Sequence, residues 1–314
     1  MKDRFEREID YLRISVTDRC NLRCFYCMPE EGIDKKKHED ILRDEEILAA
    51  VQAATKLGLK KIRITGGEPL VRKGIFDLVR AIADTEGVEE VVMTTNGILL
   101  QGNVNRLKEA GIERVNLSMD TLNPETYQRI TKTGSFPNYH AILQELIEHD
   151  LLPVKINCVL LKGINDREIS DFLDLADRYD LHVRFIELMP IGHLPYDYKK
   201  HFISKQDVLK RHPELEFDKK YRVAEYYTVK NQRGNIGFIN AMSHHFCNQC
   251  NRLRLTADGK LKPCLHTNEE IDIRHQTADE LYRTFQKAIR HKPQNHKLHK
   301  EENAILRSMN KIGG

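Results

Sequence analysis

The chain has 314 residues, room for one large domain or for a domain of about 200 residues plus a smaller one. Charged residues make up 31% and hydrophobic ones 40%, and the formal net charge of +3 is too small to argue for a nucleic-acid partner. No apolar run approaches the roughly 18 residues of a membrane helix, and Met1–Phe5 is charged with no apolar core of a signal peptide. A cytoplasmic protein without a membrane partner is the expectation. There the seven cysteines stay reduced, and six of them fall into two clusters, which points to metal binding rather than cross-linking.

From residue 11 to about 190, β-rich runs alternate with amphipathic helical stretches. The strands are expected at Tyr11–Val16, Lys61–Thr65, Glu90–Thr94, Arg114–Met119, Val154–Leu160 and His182–Leu188. Between them, stripes such as Ile75, Leu78, Val79 and Ile82, or Ile169, Phe172, Leu173 and Ala176, recur at helical spacing and mark buried faces. Six β/α units in series predict an α/β fold with parallel strands, a partial (β/α)6 TIM-like barrel, whose active site lies at the C-terminal strand ends. After about residue 195 the alternation stops. Short strands are expected at Tyr226–Lys230 and Gly237–Ala241, then a second cysteine set, then a helix from about Asp279. The Lys- and His-rich run His291–Lys300 reads as solvated surface.

Cys20, Cys24 and Cys27 place three thiolates in an eight-residue loop just after the first strand. Thiolates suit iron–sulfur clusters and zinc. Three cysteines on a cubane leave one iron open, and S-adenosylmethionine can chelate it through its amino and carboxylate groups. Zinc borrowing His38 is the alternative. Tyr26 lies between two ligands. Gly66–Pro69 offers close backbone approach, with Glu68 as a partner for the cofactor ammonium.

Cys247 and Cys250 are followed by Cys264. Zinc completed by His244, His245 or His266 stands beside a second open cluster. Arg252 and Arg254, which share one side of an extended segment, favour an anionic substrate at that metal. Cys158 reads as a small core residue. Lys155 and Asn157 face the other way, toward the barrel interior, where charge needs a partner. With Arg13, Arg63, Arg252 and Arg254, Lys155 forms a set able to hold a polyphosphate.

These stretches together resemble one family. Leu12–Met28, Lys61–Leu70, Thr94–Gly97, Val115–Thr121, Lys162–Asn165, Arg184–Gly192, Phe246–Leu265 and Ile312–Gly314 are similar to the GTP 3′,8-cyclases, the molybdenum cofactor biosynthesis protein A family of radical S-adenosylmethionine enzymes. The resemblance implies a radical S-adenosylmethionine barrel over residues 1–215 and a cluster- and substrate-binding domain over 216–314. It implies two [4Fe-4S] clusters, held by Cys20, Cys24 and Cys27 and by Cys247, Cys250 and Cys264. S-adenosylmethionine falls to Tyr26, Gly67, Ser118 and Met189, and GTP to Arg13, Arg63, Thr94, Lys155, Arg252 and Arg254. In that family the adenosyl radical takes the ribose 3′ hydrogen of GTP, and the carbon radical attacks C8 of the base. The resemblance also implies that the Gly-Gly tail, Gly313 and Gly314 in this sequence, reaches into the site as bare backbone and is needed for activity. Implied partners are a low-potential electron donor of flavodoxin or ferredoxin type and cyclic pyranopterin monophosphate synthase, with a homodimer as one form of assembly. The stretch Pro29–Asp44 is shorter and more charged than is usual in that family. A peptide-modifying radical enzyme with an auxiliary cluster and a zinc-ribbon binding protein are the competing readings; GTP titration separates the first, and iron and sulfide analysis the second.

Overall fold

A computed structural model describes residues 1–29, 31–32, 36–191, 198–296, 305 and 307–313. Its strands are β1 (Tyr11–Ser15), β2 (Lys61–Thr65), β3 (Glu90–Thr95), β4 (Arg114–Ser118), β5 (Lys155–Leu160), β6 (His182–Glu187), β7 (Glu216–Tyr221), β8 (Ala224–Thr228), β9 (Asn235–Ile239), β10 (Arg252–Leu255), β11 (Lys260–Lys262) and β12 (Ile271–Asp272). They form one 12-stranded sheet in the order β12-β11-β10-β1-β2-β3-β4-β5-β6-β9-β8-β7. The six central strands run parallel in chain order, as six β/α units require. The strands after residue 216 extend both flanks of that arc: β10 pairs parallel with β1, and β9 pairs parallel with β6. Antiparallel β11–β12 and β8–β7 finish the two ends.

Helices α1 (Asp44–Thr55), α2 (Ile75–Ala83), α3 (Val104–Glu109), α4 (Pro124–Thr131), α5 (Tyr139–Glu148) and α6 (Ile169–Tyr179) join the central strands, and α7 (Tyr198–His201), α8 (Lys205–Arg211), α9 (Ala278–Arg290) and α10 (Met309–Ile312) follow. Their starts are chemically marked. Asn123 Oδ1 accepts from the N–H groups of Glu125 and Thr126 ahead of Pro124, and Thr277 and Glu280 form a capping box at α9.

One face of each strand is apolar. Leu12, Ile14, Ile62, Ile64, Val115, Leu117, Ile156, Val183 and Phe185 are buried against the helical stripes in one continuous core. Leu253, Leu255 and Phe285 belong to the same core, so the C-terminal strands and α9 are sealed onto the barrel by apolar burial. Parallel strands covered on both faces are ordinarily apolar on both. Here the inward positions are Arg13, Arg63, Asn116, Lys155, Asn157, Arg184 and Arg254. A polar interior in a parallel arc has to be answered by ligand or by countercharge, and this directs attention to the cavity. Among the described residues no helix is long and apolar enough to cross a membrane.

Candidate active site

The arc encloses a cavity of about 480 Å³. All six cysteines of the two triads line it, together with Tyr26, Gly67, Ser118, Met189, Arg13, Arg63, Thr94, Lys155, Arg252 and Arg254. Residues drawn from the two ends of the sequence thus meet at one site. Gly314 and residues 30 and 33–35 of the charged loop lie outside the described residues, as does the side chain of His38. The rest of that loop is tied down by Lys36, whose Nζ lies 2.8 Å from Asp258 Oδ2.

The first triad sits on a loop braced from below by the glycines. Gly67 N–H donates to Thr17 O and Glu68 N–H to Arg19 O, each at 2.8 Å. A Cβ at Gly67 would stand 2.3 Å from Arg19 O and one at Gly66 2.7 Å from Thr17 O, so only glycine lets strand end and cysteine loop touch. Glu68 departs from its expected role. Its carboxylate is 1% exposed. It accepts from Thr95 Oγ1 at 2.8 Å, Asn96 N–H at 2.8 Å and Leu70 N–H at 3.1 Å. Those bonds fix the end of β3, because a buried carboxylate takes the donors nearest to it. Tyr26 OH donates to Asp120 Oδ2 at 2.5 Å, which fixes the ring between Cys24 and Cys27. Burial pushes the Cys20 thiol up to about 11, helped by Glu68, and the Cys27 thiol up to about 12, helped by the Cys20 sulfur. Such thiols become thiolates by gaining a metal.

At the second triad burial again raises Cys247, but at Cys250 the balance is reversed. Burial pushes Cys250 up, but Lys292 and Arg252 outweigh it and bring the thiol down to about 6. His266 N–H donates to Cys264 Sγ at 3.4 Å, while its Nε2 meets Met189 Sδ at 3.2 Å. The seventh cysteine, Cys158, is 0% exposed on the opposite face of β5 and belongs to the core, as expected.

Ten lysines and arginines line the cavity, against four carboxylates. Each carboxylate is already committed to protein donors: Glu68 and Asp120 as described, Glu90 to Lys61 and Arg114, and Glu187 to Ser243 Oγ and the N–H groups of Met242 and Ser243. The cations are therefore under-compensated. Arg63 Nη1 donates to Thr94 Oγ1 at 2.9 Å. Asn116, with its amide oxygen turned to them, accepts from Arg63 Nη1 at 2.5 Å and Arg184 Nη2 at 2.7 Å. Arg184 Nε and Asn157 Oδ1 are buried with no partner among the described residues. Burial and neighbouring cations bring Lys155 down to about 7 and Arg184 down to about 10. A polyanion is what such a wall lacks.

The chain end closes the site. Asn310 Nδ2 donates to Asp18 O at 3.0 Å, its backbone N–H bonds Cys27, and Gly313 O accepts from Arg254 Nη1. Arg307 anchors this tail from outside, with Nη1 3.0 Å from both oxygens of Asp258.

Residues 14–176 match the Radical SAM superfamily, and residues 181–298 match Molybdenum Cofactor Synthesis C. The GTP 3′,8-cyclase of Alkaliphilus oremlandii is 47% identical over the full length of both chains, and that of Peptoclostridium acidaminophilum is 48% identical over 99% of this chain and 98% of its own. The chain belongs to the GTP 3′,8-cyclase family. Among solved structures, native anSMEcpe with bound AdoMet has a TM-score of 0.60 at 17% identity, covering 87% of this chain and 80% of its own. Streptococcus suis SuiB gives 0.59 at 14% identity, covering 88% and 66%. At such identities these two speak to the fold alone, which is the radical S-adenosylmethionine α/β barrel.

The radical S-adenosylmethionine family binds that cofactor and a [4Fe-4S] cluster, and GTP 3′,8-cyclases carry a second cluster. This cavity fits both: three free thiols on each side, and no fourth cysteine in either set. Lys61, Arg114, Arg184 and Lys292 are cavity residues that the sequence reading passed over. The first three sit at inward positions of their strands, the same signal that singled out Arg13, Arg63 and Lys155.

Proposed function

We propose that this chain converts GTP to (8S)-3′,8-cyclo-7,8-dihydroguanosine 5′-triphosphate in molybdenum cofactor biosynthesis. The carrying observation is one cavity walled by two three-cysteine sets, with under-compensated cations between them. When bound, the clusters and S-adenosylmethionine supply the electron, the adenosyl radical and an open iron for the purine. The protein supplies placement. Cys20, Cys24 and Cys27 hold the first cluster, with Tyr26, Gly67, Ser118 and Met189 shaping the cofactor's bed. Cys247, Cys250 and Cys264 hold the second.

Arg13, Arg63, Thr94, Lys155, Arg252 and Arg254 bind GTP, joined by Lys61, Arg114 and Arg184. Their fixed charges orient the triphosphate and so the ribose. Gly313 enters beside Arg254 as backbone, and Gly313 and Gly314 are needed for activity. Residues 1–215 are the radical-generating part and 216–314 the substrate-cluster part of one continuous sheet.

A low-potential acidic carrier of flavodoxin or ferredoxin type delivers the electron. Two segments touching the first cysteine loop, and a third bonded to one of them, support this. Arg23 N–H donates to Thr131 O at 2.9 Å, Phe25 and His201 rings lie 5.6 Å apart, and Lys162 N–H donates to His201 O at 2.8 Å. The exposed lysines Lys132, Lys162, Lys199 and Lys200 belong to those segments. The product passes to cyclic pyranopterin monophosphate synthase in a reducing cytoplasm, which suits six free thiols. A homodimer is supported by the open edge of β7, where Phe217 is 59% and Tyr221 56% exposed, and sedimentation tests it.

Anaerobic incubation with GTP, S-adenosylmethionine and reductant tests the activity. 5′-Deoxyadenosine together with a cyclised guanosine triphosphate is expected; cofactor cleavage with GTP untouched would contradict the substrate assignment.

A further inference from the structure

Lys292 departs from the expectation of a solvated run, being only 2% exposed. Its Nζ donates to Arg252 O at 2.7 Å and to Pro263 O at 2.8 Å, and it also bonds the Cys250 side chain. Arg252 lies two residues after Cys250, and Pro263 lies directly before Cys264. One ammonium, with its three donors, thus joins both arms of the second triad and one of its sulfurs. The loop that carries it is clamped in turn. His296 N–H bonds Cys247. Arg7 Nη1 donates to Cys247 O at 2.7 Å and Gln294 O at 3.2 Å, and Arg7 Nη2 to Pro293 O at 2.8 Å. Arg7 is itself held by Asp3 at 2.6 Å.

A buried ammonium is costly without a negative partner. Among the described residues the partners of Lys292 are two carbonyls and a thiol, and of these three the sulfur is the one able to become an anion. A neutral side chain would satisfy the carbonyls at lower desolvation cost. The charge is therefore directed at what the sulfur holds.

We propose that Lys292 is a positioning residue for the second cluster, holding both ligand arms and, through its fixed charge beside Cys250, raising that cluster's reduction potential. This rests on the two-cluster reading above. Net charge and hydrogen bonds to the sulfurs set such potentials, and a nearby cation favours the more negative, reduced form.

The test uses full-length, anaerobically reconstituted protein and three variants. Lys292→Met removes charge and donors, Lys292→Gln keeps a donor without charge, and Lys292→Arg keeps the charge. The readout is a redox titration followed by electron paramagnetic resonance, with the second cluster identified as the signal that GTP perturbs. Lys292→Met and Lys292→Gln are expected to disfavour reduction of that cluster at least tenfold, about 59 mV for one electron. Lys292→Arg is expected to stay near the parent, and the first cluster to be unmoved in all three. An unchanged potential in the two neutral variants overturns the proposal, as does a shift in Lys292→Arg equal to theirs. If the neutral variants fail to load the second cluster, retention in Lys292→Arg supports the role of charge, and equal loss there overturns it. A parent protein with no GTP-sensitive cluster would instead overturn the two-cluster reading itself.

Discussion

Arg254 Nη1 donates to the carbonyl oxygen of Gly313, so the inward edge of β10 and the end of the chain form one bonded unit. Gly313 has φ +76°, and a Cβ there would stand 2.8 Å from Thr65 Cγ2 and 3.2 Å from Ser15 Cβ. Gly313→Ala therefore meets both a left-handed backbone cost of roughly 1–2 kcal/mol and a steric clash. The tail should leave the site. Cyclised product per 5′-deoxyadenosine should fall at least tenfold, by about the 1.4 kcal/mol that one decade represents, while iron content stays the same. An unchanged product ratio would show that the tail does not act on GTP.

Lys155 gives the site a pH dependence. Burial, then Arg184 and Arg114, bring its ammonium down to about 7, and Lys61 is brought to about 8. A triphosphate favours the charged form, so GTP affinity should weaken as pH rises from about 6.5 to about 8. Lys155→Met should flatten that slope. At the acid end it should weaken binding roughly ten- to a hundredfold, the range for a lost hydrogen bond to a charged group. Calorimetry at constant ionic strength checks both, and an identical slope in the variant contradicts the assignment.

Glu68 makes a separate prediction about stability. Burial raises its carboxyl to about 7 against the bonds from Asn96, Thr95 and Leu70. The folded chain thus binds this proton more tightly than the unfolded one. The stabilisation is complete below the ordinary glutamate range and is lost as pH rises through about 7. Glu68→Gln mimics the neutral acid, so its melting temperature should drop less than the parent's between about pH 6 and about pH 8. Equal drops would mean that Glu68 is not the responsible group.

The six-unit barrel was legible because the inward and outward positions of β1 to β6 alternate and the helical stripes lie between them. The same alternation picked out Arg13, Arg63 and Lys155, and applied strictly it would also have found Lys61, Arg114 and Arg184. The pairing of β10 with β1 was not legible, since Arg252–Leu255 reads only as an extended segment and its partner is some 240 residues away in the register Tyr11 to Arg252. β7 shows no alternation because all six of its residues are exposed. Lys292 was hidden by composition: among lysines and histidines, burial of one is decided by where Cys250 and Pro263 come to rest. Glu68 was assigned outward to a ligand because the donors that claim it arrive from β3.

The lysines around the first cysteine loop predict how the electron arrives. Reversing Lys132 and Lys200 to glutamate should slow turnover with reduced flavodoxin about tenfold at low salt and flatten its salt dependence, since attraction over a Debye length is what is lost. Turnover with dithionite should be unaffected. Equal slowing with both reductants would place the effect in the site rather than at a docking face.

The central claim is that one cavity, walled by the triads of Cys20 and Cys247, brings a radical source to the ribose of GTP. It is tested most directly with GTP deuterated at the ribose 3′ carbon, by mass analysis of the 5′-deoxyadenosine formed alongside the cyclised product. Deuterium in 5′-deoxyadenosine, in proportion to product, is predicted. Product formed with no deuterium transferred would contradict the account.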